Sequence, residues 1–222
     1  MDFDALKNAP PLDTAILATS VTSAVLYLVS VRSQPTVGRM ISKTASTALL
    51  AVLAARRFGI TSPLVPALAL GSLGDAFLAW PGEDNFLRGL GSFLVAHLFY
   101  IALFALAGNG VDQIWADPWR QGLAGFMLLL APAMGSQLVP SVSAKLRSPI
   151  VTYSTVILAM VLAVLTVKND TVVAGAVMFA LSDSVLATDE FLVPEGSAHH
   201  GWMQYTVWIL YYTGQLLIAC GF

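Results

Sequence analysis

Apolar runs of about twenty residues, cut by short polar breaks, fill nearly the whole sequence. Runs of about 18 or more such residues read as membrane-crossing helices. Eight can be drawn, at roughly 13–31, 39–57, 63–80, 87–107, 119–138, 147–167, 170–191 and 200–221. The breaks carry turn chemistry, as in RSQPTVGR, WPGEDN and FLVPEGSAHHG. In lipid, backbone polar groups are satisfied only within a helix or a closed barrel, and these runs are too long for barrel strands. The expected fold is all-α: a polytopic membrane helix bundle of about eight transmembrane helices, one domain over residues 1–222.

Composition agrees. Hydrophobic residues make up 57% and charged residues 11%, against about 25% charged in an ordinary soluble domain. Net charge is −2 and no Lys/Arg-rich stretch occurs, so no nucleic-acid partner is expected. The lone Cys220 excludes a disulfide framework or a cysteine metal site within one chain. The N-terminal MDFDALKNAPPLD is acidic and lacks a basic n-region, so the first apolar run reads as a retained helix. An even helix count puts both termini on one side. Lys7, Arg56, Arg57, Arg120 and Lys168 fall on that side, and Arg32, Arg39, Arg88, Lys145 and Arg147 on the other. Such a tie gives no orientation. Nothing in the pattern sets an oligomeric state.

Two of the apolar runs carry a buried-looking acid in the same setting. Leu73–Ala79 reads LGDAFLA and Leu181–Ala187 reads LSDSVLA, placing Asp75 and Asp183 at one offset. That offset also aligns Arg39 with Arg147, Thr44 with Thr152, Ser46 with Ser154 and Thr47 with Thr155. It superposes the second and third runs on the sixth and seventh, as a parallel four-plus-four internal repeat would.

Alternating topology then places polar residues by depth, measured from the side opposite the termini. At 1.5 Å of rise per residue, Asp75 lies about 9 Å, Asp183 about 12 Å and Tyr153 about 9 Å into their helices. Lys43 sits about one turn in, His97 near mid-helix, and Tyr212 and Gln215 deeper. All converge on one half of the bilayer. An ionisable residue at such depth marks a functional site unless it is simply paired as structural glue. Lys43 with one aspartate could be such glue. So could His97 on a neighbouring carbonyl, while Tyr100, Tyr211 and Trp208 suit packing or an interface belt. Glu83, Asp84, Asp189 and Glu190 sit at headgroup level.

The inventory limits the chemistry. One buried His and two Asp, without an HxxxH spacing, signal zinc weakly. Ser72 or Ser182 could join a Ser-His-Asp set, but no GxSxG elbow is present. A carboxylate pair is the stronger candidate. Two acids in a low-dielectric cavity cannot both ionise cheaply, so one stays protonated and the other anionic. The neutral acid can deliver a proton to an acetal-like or vinyl-ether bond, while the anion stabilises an oxocarbenium ion or activates water. Lys43 suits the role of holding one aspartate anionic.

GSLGDAFLA, FLRGLGSFLVAHLFYIALF, AGAVMFALSDSVLA and YYTGQLLI together resemble the YhhN-like lysoplasmalogenase family. The resemblance spans the second run to the last. It implies a multi-pass membrane hydrolase that cleaves the vinyl ether of a lysoplasmalogen to a fatty aldehyde and a glycerophosphocholine or glycerophosphoethanolamine. It implies no metal and no organic cofactor. The family's aspartates fall on Asp75 and Asp183, its helix-borne His and Tyr on His97 and Tyr100, and its Lys on Lys43. A Pro commonly follows that Lys, where this chain has Thr44. Around the dyad, Tyr153, Ser182, Tyr212 and Gln215 are expected as supporting residues, with Glu83, Asp84 and Glu190 as headgroup candidates. The expected membrane is the endoplasmic reticulum in a eukaryote and the inner membrane in a bacterium. Two other classes fit the buried carboxylates: a proton-coupled carrier and a metal-dependent lipid amidase of the ceramidase type.

Overall fold

The computed structural model describes residues 10–222. Lys7 and most of the acidic N-terminal stretch lie outside them. Every regular element described is a helix: α1 Pro11–Ser30, α2 Val37–Phe58, α3 Leu64–Leu78, α4 Glu83–Ala107, α5 Asp112–Ala116, α6 Pro118–Ser141, α7 Ala144–Val164, α8 Asp170–Phe191 and α9 His199–Gly221. Each of the eight apolar runs overlaps one helix, and α5 is a single short turn inside the break before α6. α1, α2, α4, α6, α7 and α8 are long and apolar enough to cross a membrane. The chain is therefore a multi-pass membrane protein. α3 is apolar but only 15 residues long, and the 23 residues of α9 are interspersed with Tyr, Trp, His and Gln.

Local chemistry sets the boundaries. Thr36 caps α2 by accepting from the Arg39 amide at 3.1 Å, and Gly59 ends it at a φ of 80°, a conformation that favours glycine. Asn169 caps α8 through the Thr171 amide at 2.9 Å. Pro118 opens α6, where its missing N–H costs nothing.

Consecutive helices pack in each half: α1 on α2, α2 on α3 and α3 on α4, then α6 on α7, α7 on α8 and α8 on α9. The halves are joined by α4 on α7 and by α9 on α2. This pattern is compatible with the four-plus-four repeat. Without a hydrophobic drive between helices in lipid, close approach depends on small residues. At the α8–α9 crossing, a Cβ on Gly214 would lie 2.7 Å from the Gly175 carbonyl oxygen.

The two ends of the bundle are built differently. On the terminal side, buried Asp13 of α1 pairs with Arg56 (2.7 Å) and Arg57 (3.7 Å) at the end of α2. Arg120, 1% exposed, donates to the Leu165 and Val167 carbonyls at 2.8 and 2.7 Å and pairs with Asp170 at 2.6 Å. It thereby ties α6 to the end of α7 and the start of α8, a cation at a helix C-terminus. The opposite side opens into a cavity.

Candidate active site

The cavity has two parts. A polar chamber of about 260 Å³ is lined by Arg39, Lys43, Asp75, Ser182, Asp183, Asp189, Glu190, Trp208 and Tyr211, among others. Beside it, an apolar slot of about 60 Å³ runs between α4, α6, α7 and α8, lined by residues such as Leu90, Met134, Leu138, Ile150 and Ile157. Leu78, Phe86, Phe93, Asp183 and Leu186 border both. Asp183 is the only carboxylate among the shared residues, so it stands at the junction of wet and greasy space.

Asp75, on α3, is 1% exposed and ringed by donors. Lys43 of α2 places Nζ 3.5 Å from Oδ1. The hydroxyls of Tyr211 (α9) and Thr47 (α2) donate to Oδ2 at 2.8 and 3.2 Å. A cation and two hydroxyl donors satisfy an ionised carboxylate. Residue 74 beside Asp75 is glycine, which lets the Phe93 ring of α4 pack close to α3: a Cβ there would sit 2.5 Å from that ring.

Asp183, on α8, has different neighbours. Tyr153 of α7 donates to its Oδ2 at 2.9 Å. His97 of α4, fully buried, places Nε2 3.5 Å from the same oxygen. The other ring nitrogen, Nδ1, lies 2.6 Å from the Phe93 carbonyl oxygen. A carbonyl only accepts, so Nδ1 carries a proton and a neutral ring presents a bare lone pair at Nε2. That buried nitrogen has no hydrogen-bond partner. An ionised Asp183 facing a neutral His97 would oppose two lone pairs, and one proton placed between them removes the conflict. Among the described residues no Lys or Arg pairs with Asp183 in the way that Lys43 pairs with Asp75.

The remaining sequence candidates divide. Ser182 lines the chamber but spends its hydroxyl on the Phe179 carbonyl at 2.8 Å. Tyr100 donates to Gln215, and both are fully buried behind the chamber. Tyr212 points away and bonds Ser20 at 2.8 Å, whereas its neighbour Tyr211, read from sequence as packing, touches Asp75. Glu190 lines the chamber. Glu83 and Asp84 do not: they face Lys145 at 3.7 and 2.7 Å on the exposed start of α4. Thr47 and Arg39 were legible only as repeat positions. Their signal was the helical spacing from Lys43, four residues to either side.

Among the described residues no group of three or more His, Cys, Asp or Glu is placed to hold a metal ion. α3 and α8 run unbroken through both aspartates, unlike the discontinuous helices that form carrier sites.

The family model described as the YhhN family matches residues 38–222. Human lysoplasmalogenase TMEM86B is 32% identical, over 72% of this chain and 63% of the human one. The lysoplasmalogenase of Mycobacterium tuberculosis is also 32% identical, over 72% of this chain and 59% of its own. Bovine lysoplasmalogenase TMEM86A is 26% identical, over 68% of this chain and 61% of its own. This chain thus spans about three fifths of the length of the curated relatives it matches. No solved structure matches. The matched region contains both aspartates and every partner placed around them, and the chain belongs to the YhhN family.

Proposed function

We propose that this protein is a lysoplasmalogenase, hydrolysing the vinyl ether of a single-chain lipid drawn from the bilayer. The observation that carries the reading is Asp183 at the border of a polar chamber and an apolar slot, with Asp75 lining the same chamber. A vinyl ether occupies that border in a lysoplasmalogen, between the glycerophospho headgroup and the hydrocarbon chain. The names of the relatives add weight to it. All eight long helices cross the membrane in this reading, as one unit, in the endoplasmic reticulum of a eukaryote or the inner membrane of a bacterium.

Asp183 is the acid and Asp75 the anion. Asp183, sharing a proton with His97, protonates the alkene carbon remote from oxygen. The carbon bearing the ether oxygen becomes an oxocarbenium centre, stabilised by the Asp75 carboxylate that Lys43, Thr47 and Tyr211 hold in place. Water adds to that carbon and gives its proton to a carboxylate. The resulting hemiacetal loses its hydroxyl proton and releases the glycerol oxygen as an alcohol, leaving the aldehyde. One water is consumed and both carboxyls return to their starting states. Glu190, exposed at the chamber mouth, meets a choline or ethanolamine cation.

The test is aldehyde release from purified protein in detergent, followed by mass spectrometry. Asp75→Asn and Asp183→Asn are each expected to lower kcat by about a hundredfold or more, the scale of a lost general acid or electrostatic stabiliser. Undiminished turnover in either variant would remove the dyad.

A further inference from the structure

Arg39 lines the chamber, and among the described residues no carboxylate forms an ion pair with it. Its Nη2 donates to the Val31 carbonyl at 2.8 Å and to the Tyr27 hydroxyl at 3.3 Å. Its guanidinium carbon lies 5.2 Å from the centroid of the Tyr27 ring. Both hydrogen-bond partners are neutral, so the charge is positioned but not compensated. Its Nε is buried and has no hydrogen-bond partner. Among the described residues the two buried Lys and Arg side chains are spent: Lys43 on Asp75, and Arg120 on Asp117 and Asp170. Arg147, which occupies the matching position of the second half, is exposed and lines neither part of the cavity.

Leaving a buried donor unpaired is costly unless a ligand completes it. A guanidinium fork is matched in shape to a phosphate oxygen pair. Arg39 also sits one turn outward from Lys43 on α2, about 6 Å along the axis. Lys43 in turn contacts Asp75. One helical turn matches the reach of a glycerol backbone between its phosphate and its ether oxygen. The acidic mouth, with Glu190 forming no ion pair among the described residues, supplies the complementary charge for a headgroup that is anionic near the glycerol and cationic at its tip.

We propose that Arg39 is the phosphate-recognition residue of this chamber, receiving the phosphodiester of a single-chain glycerophospholipid. The proposal rests on the lysoplasmalogenase reading for the identity of the lipid, but its test needs no turnover. Trp80 and Trp208 line the chamber, so intrinsic fluorescence reports occupancy. The probes are a saturated 1-alkyl lysophosphocholine, which has no vinyl ether, the phosphate-free 1-alkylglycerol of equal chain length, and inorganic phosphate. All are titrated into the full chain in detergent at fixed micelle concentration.

Arg39→Gln is expected to weaken the lysophosphocholine by about tenfold or more, as for a lost charge-assisted contact. Alkylglycerol binding should stay within about twofold, since it never engages the guanidinium. Arg39→Lys should recover part of the loss, keeping the charge without the fork. Equal weakening of both lipids would make Arg39 structural and overturn the proposal. So would unchanged phospholipid binding. Inorganic phosphate that competes as tightly as the lipid would overturn the lipid headgroup as the ligand. Absent aldehyde release with intact discrimination by Arg39 would sink the reaction and leave the phosphate site standing.

Discussion

Asp75 and Asp183 occupy one position of a repeated heptapeptide, yet their partners differ in kind. Three donors converge on Asp75, one of them a cation, while Asp183 faces a phenol and the lone pair of His97. The heptapeptide shared by the two segments was readable from sequence. The unlike surroundings of the two aspartates were not, because the residues that make them come from distant helices. The pair Tyr211 and Tyr212 makes the limit concrete. Adjacent residues on a helix project about 100° apart, and only the packing of α9 decides which one meets Asp75 of α3. Tyr211→Phe removes a hydrogen bond to a charged group, a contact of about 1.5–3 kcal/mol. A fall in kcat of about 10- to 100-fold is expected. Tyr212→Phe breaks only the bond to Ser20 and should retain near-normal turnover. Comparing the two variants for aldehyde release and for folding checks the assignment, and equal loss in both would undo it.

Helix boundaries were the most legible level, since apolar run length and caps such as Thr36 and Asn169 are local properties. The short α5 escaped because five residues, DQIWA, carry no periodic signal. Glu83 and Asp84 were expected near a headgroup. They open α4, where acids favour a helix N-terminus, and Lys145 of α7 takes them as partners. Helix contact depends on details a run of apolar letters hides. At Gly214 an added Cβ meets the Gly175 carbonyl oxygen at 2.7 Å and the Phe179 amide nitrogen at 3.0 Å, backbone atoms that cannot rotate away. Gly214→Ala should therefore part α8 from α9 and cost about 1–3 kcal/mol of stability. Gly122 on α6, where a Cβ meets nothing within 4 Å, is the matched control. Gly122→Ala should leave thermal unfolding unchanged or slightly raised. A Gly214→Ala protein melting with the wild type would show the crossing to be slack.

At the scale of the whole molecule, each half supplies one aspartate and lends the other half a partner. Asp75 on α3 is met by α2 and by α9, and Asp183 on α8 by α7 and by α4. The order of helix contacts is alike in the two halves, and the surroundings of the two aspartates are not. The ion pairs of the terminal side tie helices together at the end away from the cavity. On the proposed function, the apolar slot of about 60 Å³ takes only the first few carbons of a lipid chain, and the rest extends between helices into the bilayer. Ile157 of α7 lines the slot but not the polar chamber. Ile157→Trp would fill it and displace roughly two methylenes, worth about 0.8 kcal/mol each. The KM for a long-chain lysoplasmalogen should then rise about tenfold. A truncated alkenyl chain that never reaches the slot should keep its KM and kcat. Val151, exposed on the same helix and lining neither part of the cavity, gives the control: Val151→Trp should change neither substrate. A long-chain KM unmoved by Ile157→Trp would mean that the chain leaves the dyad by another path.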